Sequence, residues 1–411
     1  MKPTLRVCVD ARSEPGAAGG VVQGVLGLAY GLSQLDDGNE EYRFLVRPGR
    51  GEWLQPYLGE RMSLLQAIRP ATPPPPPSLP ARIAARLRRS GDDASGLVPP
   101  SKGAAEAYGA DVLHLPTQQG FVTRIPTLYH PWDLQHVHYP DFFEPDDLRD
   151  RDLVYRTLCR QARIVVAQTR WGAEDLIANL DVPRRKVAVI PAASALAAYA
   201  EPTEDDLARV RAAYDLPEAF LLYPAQTWPH KNHLGLVDAV ALLAAEGAQM
   251  TVVCTGWQND FSGTIERRVR ERGLERRVLF LGLVPAPDVP ALYRLARALV
   301  FPSLFEGWGF PLLEAFSAGL PVACSDIPVL REIAGPAAAT FDPTRPEDVA
   351  ATLRRMWNDE DLRRELVERG RARGREFSWE RTARICRAHY RRVGGARLSD
   401  EDRALVHEAR A

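Results

Sequence analysis

The sequence predicts an α/β protein built from two doubly wound parallel sheets, and three observations carry that prediction. At 411 residues the chain exceeds the ~250 to 300 at which one hydrophobic core stops growing, so about two domains are expected. Short apolar, β-branched runs alternate with longer amphipathic stretches, the pattern of strand–helix units around parallel sheets. The alternation then starts afresh after AASALAAYAEPTEDDLARVRAAYDLPE, where small and polar residues replace core formers, which puts a hinge near 194–200.

In the first half, strands are expected at LRVCV (5–9), RFLV (43–46), DVLHL (111–115), IPTLY (125–129), RIVVA (163–167) and VAVI (187–190). The second half repeats the scheme with AFLLYPA (219–225), MTVVCT (250–255), VLFLG (278–282), ALVFPS (298–303), PVACS (321–325) and AATF (338–341). The domains are therefore drawn as 1–197 and 198–375, with closing helices over 376–411. A proline run and its surroundings, about 71–103, interrupt the first domain without a strand signal and read as an exposed excursion with polyproline character. Within it, RIAARLRR could form a short basic helix resting on anionic lipid, although such charge runs are more often solvated loop helices.

Composition excludes several classes. The hydrophobic share is 45%, the charged share 26%, and 52 basic residues meet 53 acidic ones for a net charge of −1. That is the profile of a soluble globular enzyme and gives no support for nucleic-acid binding. Five cysteines, Cys8, Cys159, Cys254, Cys324 and Cys386, lie far apart with no CxxC pair, so neither a disulfide framework nor a zinc knuckle is suggested. The apolar run at the N-terminus is too brief for a signal-peptide core, and none approaches the ~18 residues needed to span a bilayer. A cytoplasmic protein is expected, with at most peripheral contact at the inner membrane face.

The sharpest local signal is PSLFEGWGFPLLEAFSAGLPVACSDIP, which leaves an apolar strand, passes a glycine-punctuated turn, enters an amphipathic helix and reaches another strand. Gly307 and Gly309 permit positive φ and close backbone approach to a ligand, and Pro311 fits a first helical turn, where its missing N–H costs nothing. The helix N-terminus behind them, with about half a positive charge and unpaired N–H donors, is a cradle for a diphosphate. Glu306 precedes the cradle and Glu314 lies about a turn inside the helix, so the carboxylates can reach either side of the phosphates. A nucleotide sugar has that layout, ribose on one side and hexose on the other, and each carboxylate hydrogen bond could contribute ~1.5 to 3 kcal/mol.

The string E-G-W-G-F-P-L-L-E resembles the Glu-x7-Glu signature of the retaining glycosyltransferases of group 1 with the GT-B fold, and the resemblance extends over nearly the whole chain. It implies two Rossmann-like domains facing a cleft, a last helix crossing back to the first domain, and transfer from a nucleotide sugar without a metal or other cofactor. It also implies that Glu306 contacts the transferred sugar and Glu314 the ribose, with backbone N–H groups around Trp308, Gly309 and Phe310 near the sugar and phosphate.

Three further constellations belong to this reading. LLYPAQTWPHKNHLGLVDAV puts Lys231 after the first strand of the second domain, where an ammonium could neutralise a departing phosphate. This stretch resembles the family's phosphate-binding loop, with Ala225 and Gln226 where many members have a Gly-Arg pair, and its wording is similar to a subgroup with mannosyltransferase-like members. Gly19 and Gly20, between a strand and a helix, resemble the glycine pair at the family's cleft floor; an ordinary turn would look the same. YHPWDLQHVHYPDFF gathers His130, Asp133, His136 and His138 in a loop that resembles the family's His-Asp loop. Trp132 there stands where the family pattern usually shows His, which leaves His130, two residues earlier, as a candidate substitute. Substrate contact, turn capping and metal binding are all compatible with those side chains.

Competing motifs are weak. No G-x-G-x-x-G or P-loop occurs, and the Asp-x-Asp at Asp150-Arg151-Asp152 lies in a charged stretch that reads as a solvated helix face. The expected activity is retaining, metal-independent transfer of a hexose, with GDP-mannose ahead of UDP-sugars, to a glycan, lipid-linked or small-molecule acceptor. A phosphorylase, a sugar epimerase or a noncatalytic sugar-nucleotide-binding protein of the same architecture are the alternatives.

Overall fold

The computed structural model describes residues 4–13, 19–67 and 96–411. The chain divides into two compact units, one comprising Met1–Glu14, Leu28–Ile190 and Ala383–Ala411, the other Pro15–Gly27 and Pro191–Thr382. Most of the proline-rich excursion, including the RIAARLRR stretch, lies outside the described residues.

In the first unit, β1 (Arg6–Asp10), β2 (Glu41–Val46), β3 (Met62–Gln66), β4 (Val112–Leu115), β5 (Thr127–Tyr129), β6 (Ile164–Ala167) and β7 (Val187–Val189) form one sheet in the order β3-β2-β1-β4-β5-β6-β7. Every pairing is parallel. Helices cover both faces of such a sheet, so its strands read as unbroken apolar runs; Val7, Cys8 and Val9 are fully buried, as are Val112 to Leu115. The sequence reading places no strand at β3. That edge strand buries only Met62 and leaves Gln66 exposed, so it lacks the apolar run that marks the central strands.

The second unit carries β8 (Leu221–Pro224), β9 (Val252–Thr255), β10 (Val278–Phe280), β11 (Ala298–Phe301), β12 (Val322–Ser325) and β13 (Ala338–Phe341), all parallel in the order β10-β9-β8-β11-β12-β13. Strand order reverses between β1 and β4 in one sheet and between β8 and β11 in the other. In open parallel sheets, ligands bind beyond the carboxyl ends of the strands at such reversals. Lys231 follows β8 and Glu306 follows β11, whereas Arg12, Thr117 and Trp132 follow β1, β4 and β5.

The helix Trp379–Val393 begins in the second unit and ends in the first. Trp379 anchors its start: the indole is buried, donates from Nε1 to the Ser194 carbonyl at 2.9 Å and stacks on Phe310 at 6.5 Å. All five cysteines are buried free thiols. The Asp150–Asp152 stretch lies on the helix Pro145–Gln161, where Asp152 pairs with Arg156. Among the described residues no helix is long and apolar enough to cross a membrane.

Candidate active site

In the second unit the site starts from a single asparagine. Beyond β8 the chain makes a short 3-10 turn, Pro229–Lys231, and Asn232 follows with φ 58, a left-handed conformation that asparagine tolerates better than most residues. Its Oδ1 accepts from Gly235 N at 3.2 Å, capping the helix His233–Ala245. Its Nδ2 donates to the carbonyls of Pro302 at 3.1 Å and Pro343 at 2.8 Å. The turn after β8 is thereby tied to the loop after β11. Lys231 Nζ sits 2.5 Å from Glu306 Oε1, with side-chain exposures of 17% and 11%, and lies 5.5 Å from the centroid of Phe301. An ion pair so shielded from water interacts more strongly than an exposed one and is costly to break from one side.

Next to it stands the helix Phe310–Ala318, with Pro311 in its first turn. The positive φ that Gly307 and Gly309 permit is not used: Gly309 has φ −174, ordinary extended backbone, and Gly307 is not among the positive-φ residues. What Gly309 supplies is room, because a Cβ there would stand 2.9 Å from Leu330 Cδ2. The Trp308 indole is buried against Phe377, edge to face at 5.8 Å, so any ligand contact from this residue comes from its backbone. Glu314 is buried on the same helix, and its Oε2 accepts from Tyr293 Oη at 2.5 Å. Burial pushes the Glu314 carboxyl up to about 7, with the phenol hydrogen bond acting in the opposite direction.

Gly19 and Gly20 join this unit through two close approaches. Gly19 adopts φ 50, and a Cβ on it would lie 2.9 Å from Gln226 Nε2; one on Gly20 would lie 3.1 Å from the Phe310 ring. Gln226 Oε1 in turn accepts from Trp228 Nε1 at 2.6 Å. An indole N–H only donates, so it fixes which end of the amide faces it.

In the first unit His130 lies beyond β5 in a buried chain of hydrogen bonds. Its Nε2 is 2.7 Å from His114 Nε2 and its Nδ1 3.1 Å from Gln168 Nε2, while His114 Nδ1 is 2.5 Å from Tyr390 Oη. Burial, reinforced by the neighbouring His114, holds His130 well below the ordinary imidazole range, and burial takes His114 down to about 3. Both are therefore neutral, and both ring nitrogens of His130 are engaged by protein groups. Asp133 Oδ1 accepts from Gln135 N at 3.0 Å. His138 pairs with Asp175 at 2.7 Å, and His136 packs edge to face on Tyr155 at 5.1 Å. Among the described residues no group of three or more His, Cys, Asp or Glu is arranged to hold a metal ion.

The structure thus joins Lys231 to Glu306, Gly19 to Gln226 and Gly20 to Phe310 within the second unit, sets Glu314 on the helix that Phe310 opens, and places His130 and Asp133 in the first unit. Sequence reasoning misses Tyr293, Asn232, Trp228, His114, Gln168 and Tyr390. The spacing of a lone Tyr or Asn in a helix or turn carries no signal of a partner 21 or 70 residues away.

The family model for glycosyl transferases group 1 matches residues 206–373. The chain is 28% identical over 262 residues to O-antigen chain mannosyltransferase B of Escherichia coli, covering 62% of this chain and 67% of that protein. It is 31% identical over 229 residues to the serotype-specific mannosyltransferase WbdA of Escherichia coli, covering 55% of this chain but 28% of that protein, so the match spans little more than a quarter of WbdA. Among solved structures, sucrose-phosphate synthase from Thermosynechococcus elongatus superposes with a TM-score of 0.69 at 22% identity, covering 95% of this chain and 99% of that one. Anabaena HepE in complex with UDP and glucose gives 0.68 at 17% identity, with 94% and 99% covered. These structural likenesses establish the fold: two Rossmann-like parallel-sheet units of the GT-B class. Residues 206–373 match the group 1 glycosyl transferase model, and the enzyme class that this match and the mannosyltransferase relatives support is a glycosyltransferase.

Proposed function

We propose that this chain transfers a hexose, with retention of anomeric configuration and without a metal ion, from a nucleotide sugar to a hydroxyl of a glycan, lipid-linked or small-molecule acceptor. The observation that carries the reading is the shielded Lys231–Glu306 pair, 2.5 Å apart, beyond the two strands at which the second sheet reverses its order. GDP-mannose is the first donor to test, because the mannosyltransferases of Escherichia coli are among the relatives; UDP-sugars follow, given the UDP and glucose held by HepE.

The difficult event is charge separation, as the glycosyl carbon becomes oxocarbenium-like and the diphosphate leaves. The Lys231 ammonium and the N-terminus of the helix Phe310–Ala318 would act where negative charge grows, with backbone N–H groups around Trp308, Gly309 and Phe310 completing the cradle. Glu306 would orient the ammonium and accept from the hexose hydroxyls. Glu314, one oxygen held by Tyr293, would receive the ribose, and Gln226 would lie along the phosphates beside Gly19 and Gly20. In the first unit, on the acceptor side, His130 would hold the loop in which Asp133 lies. Five free thiols favour a reducing compartment such as the cytoplasm.

Titration of wild type, Lys231→Ala and Glu314→Ala with GDP-, UDP- and ADP-sugars tests the reading. At least one donor is expected to bind wild type and to weaken in both variants; uniform absence of binding, or binding indifferent to both substitutions, removes it.

A further inference from the structure

The chain leaves β1 through Asp10-Ala11-Arg12, and there the acid and the base fold back on each other. Arg12 Nε and Nη2 donate to the two oxygens of Asp10, both at 2.7 Å, and Arg12 N donates to Asp10 Oδ1 at 3.2 Å. Asp10 is the buried partner, its side chain 4% exposed against 30% for Arg12. The guanidinium reaches across to Phe121, buried in the loop after β4, with Cζ 4.9 Å from the ring centroid. β1 and β4 are the neighbouring parallel strands between which the first sheet reverses its order. The head group of Arg12 therefore spans the crevice in which doubly wound sheets take their ligands.

A guanidinium carries five N–H donors in a planar fork and stays charged. Asp10 takes one from Nε and one from Nη2, and Nη1 has no hydrogen-bond partner among the described residues. The carboxylate on one edge and the ring on one face fix the plane of the group. What remains is the far edge, where Nη1 and Nη2 present side-by-side N–H groups that match two oxygens of a carboxylate or phosphate. We infer that Arg12 holds an oxyanion of the acceptor, a carboxylate or a phosphate, on the first unit, an assignment that rests on the glycosyltransferase reading above.

Asp10 acts on such a ligand in two opposite ways. It orients the fork, which favours binding, and its own negative charge repels the anion, which opposes it. Substituting the two partners therefore changes anion affinity with different signs: removing the cation abolishes the contact, whereas neutralising Asp10 leaves the cation in place with less competing charge. A pair that served only to hold the end of β1 would respond to both substitutions alike.

The test is saturation-transfer NMR titration of methyl glucuronide, glucose 6-phosphate and methyl glucoside with wild type, Arg12→Gln, Asp10→Asn and the double variant Asp10→Asn/Arg12→Gln. Each titration is run with and without excess GDP or UDP, so that anions taken by Lys231 are displaced. With nucleotide present, wild type is expected to bind one acidic probe about tenfold or more tightly than the neutral glucoside. Preference for the glucuronide assigns a carboxylate, preference for the 6-phosphate a phosphate. Arg12→Gln should erase the preference, and Asp10→Asn should keep or raise it. Arg12→Gln also leaves Asp10 buried and unpaired, so the uncharged double variant is the folding control: its melting temperature should lie closer to that of wild type, with the preference still absent. Four outcomes overturn the inference: no acidic preference in wild type, a preference lost when nucleotide is added, one that survives Arg12→Gln, or equal loss in Asp10→Asn and Arg12→Gln. Absence of nucleotide binding by wild type is a separate result that removes the donor reading beneath it.

Discussion

Lys231 and Glu306 are charged side chains with little water around them, so each depends on the other. Lys231→Ala should lower turnover about 100- to 1000-fold, the usual cost of losing a donor aimed at developing charge, and should also destabilise the second unit by leaving Glu306 shielded and unpaired. Steady-state rates with a donor found in the binding panel check the first, urea unfolding the second. Glu314 titrates differently because burial holds it near 7 against about 4.3 for a free side chain. Between those values the folded chain binds more protons than the unfolded one, so this group's contribution to stability falls as pH rises through the window, by up to about 3 kcal/mol. A ribose hydroxyl donates best to the ionised carboxylate, so GDP affinity should rise from about pH 6 to about pH 8, and Glu314→Gln should flatten that dependence in calorimetry. The carboxylates and the lysine were legible as candidates because their spacing around a strand, a turn and a helix is local. Their pairing was not, because the contact spans 75 residues of chain.

At the scale of elements, glycine positions show what local reading gets right and wrong. Gly307 and Gly309 permit positive φ, but the structure has it at Gly19 and uses Gly309 for clearance from Leu330. Clearance cannot be read locally, since the crowding atom belongs to another element. Gly27 is the strongest case: a Cβ there would lie 1.9 Å from Trp379 Cε2, a rigid buried ring that also holds the Ser194 carbonyl. Gly27→Ala should therefore cost about 3 kcal/mol or more by displacing the indole, read as a lower urea midpoint and altered tryptophan fluorescence. Asn232→Ala should cost about 1 to 2 kcal/mol through the lost cap and the strained φ, and Asn232→Gly less, because glycine adopts that φ freely. The strands followed the same division. Twelve segments announced themselves as short apolar runs, the edge strands β10 and β13 among them with one buried residue each, while β3, whose MSLLQ is broken by Ser63 and ends on Gln66, did not.

Over the whole molecule, buried neutral histidines set the acid limit. Burial takes His114, His233 and His389 down to about 3 and His136 to about 4. Below an ordinary histidine value of about 6.5 the unfolded chain takes up protons that the folded chain refuses, so stability is present above that pH and is lost as pH falls. The denaturation midpoint should drop steeply between about pH 6.5 and about pH 5, opposite in sign to the contribution of Glu314. By itself the sequence determined the two-sheet α/β plan, the motif helix with its proline, and the acidic and basic side chains that stand near that helix as candidates. These follow from periodicity, turn chemistry and helix-end electrostatics, which act over a few residues. Only the tertiary structure decided that Lys231 meets Glu306, that Tyr293 holds Glu314, that His130 is spoken for on both sides, and that Arg12 lies against Phe121. Each of those is a contact between segments far apart in the chain, settled by packing and burial, which no local pattern encodes.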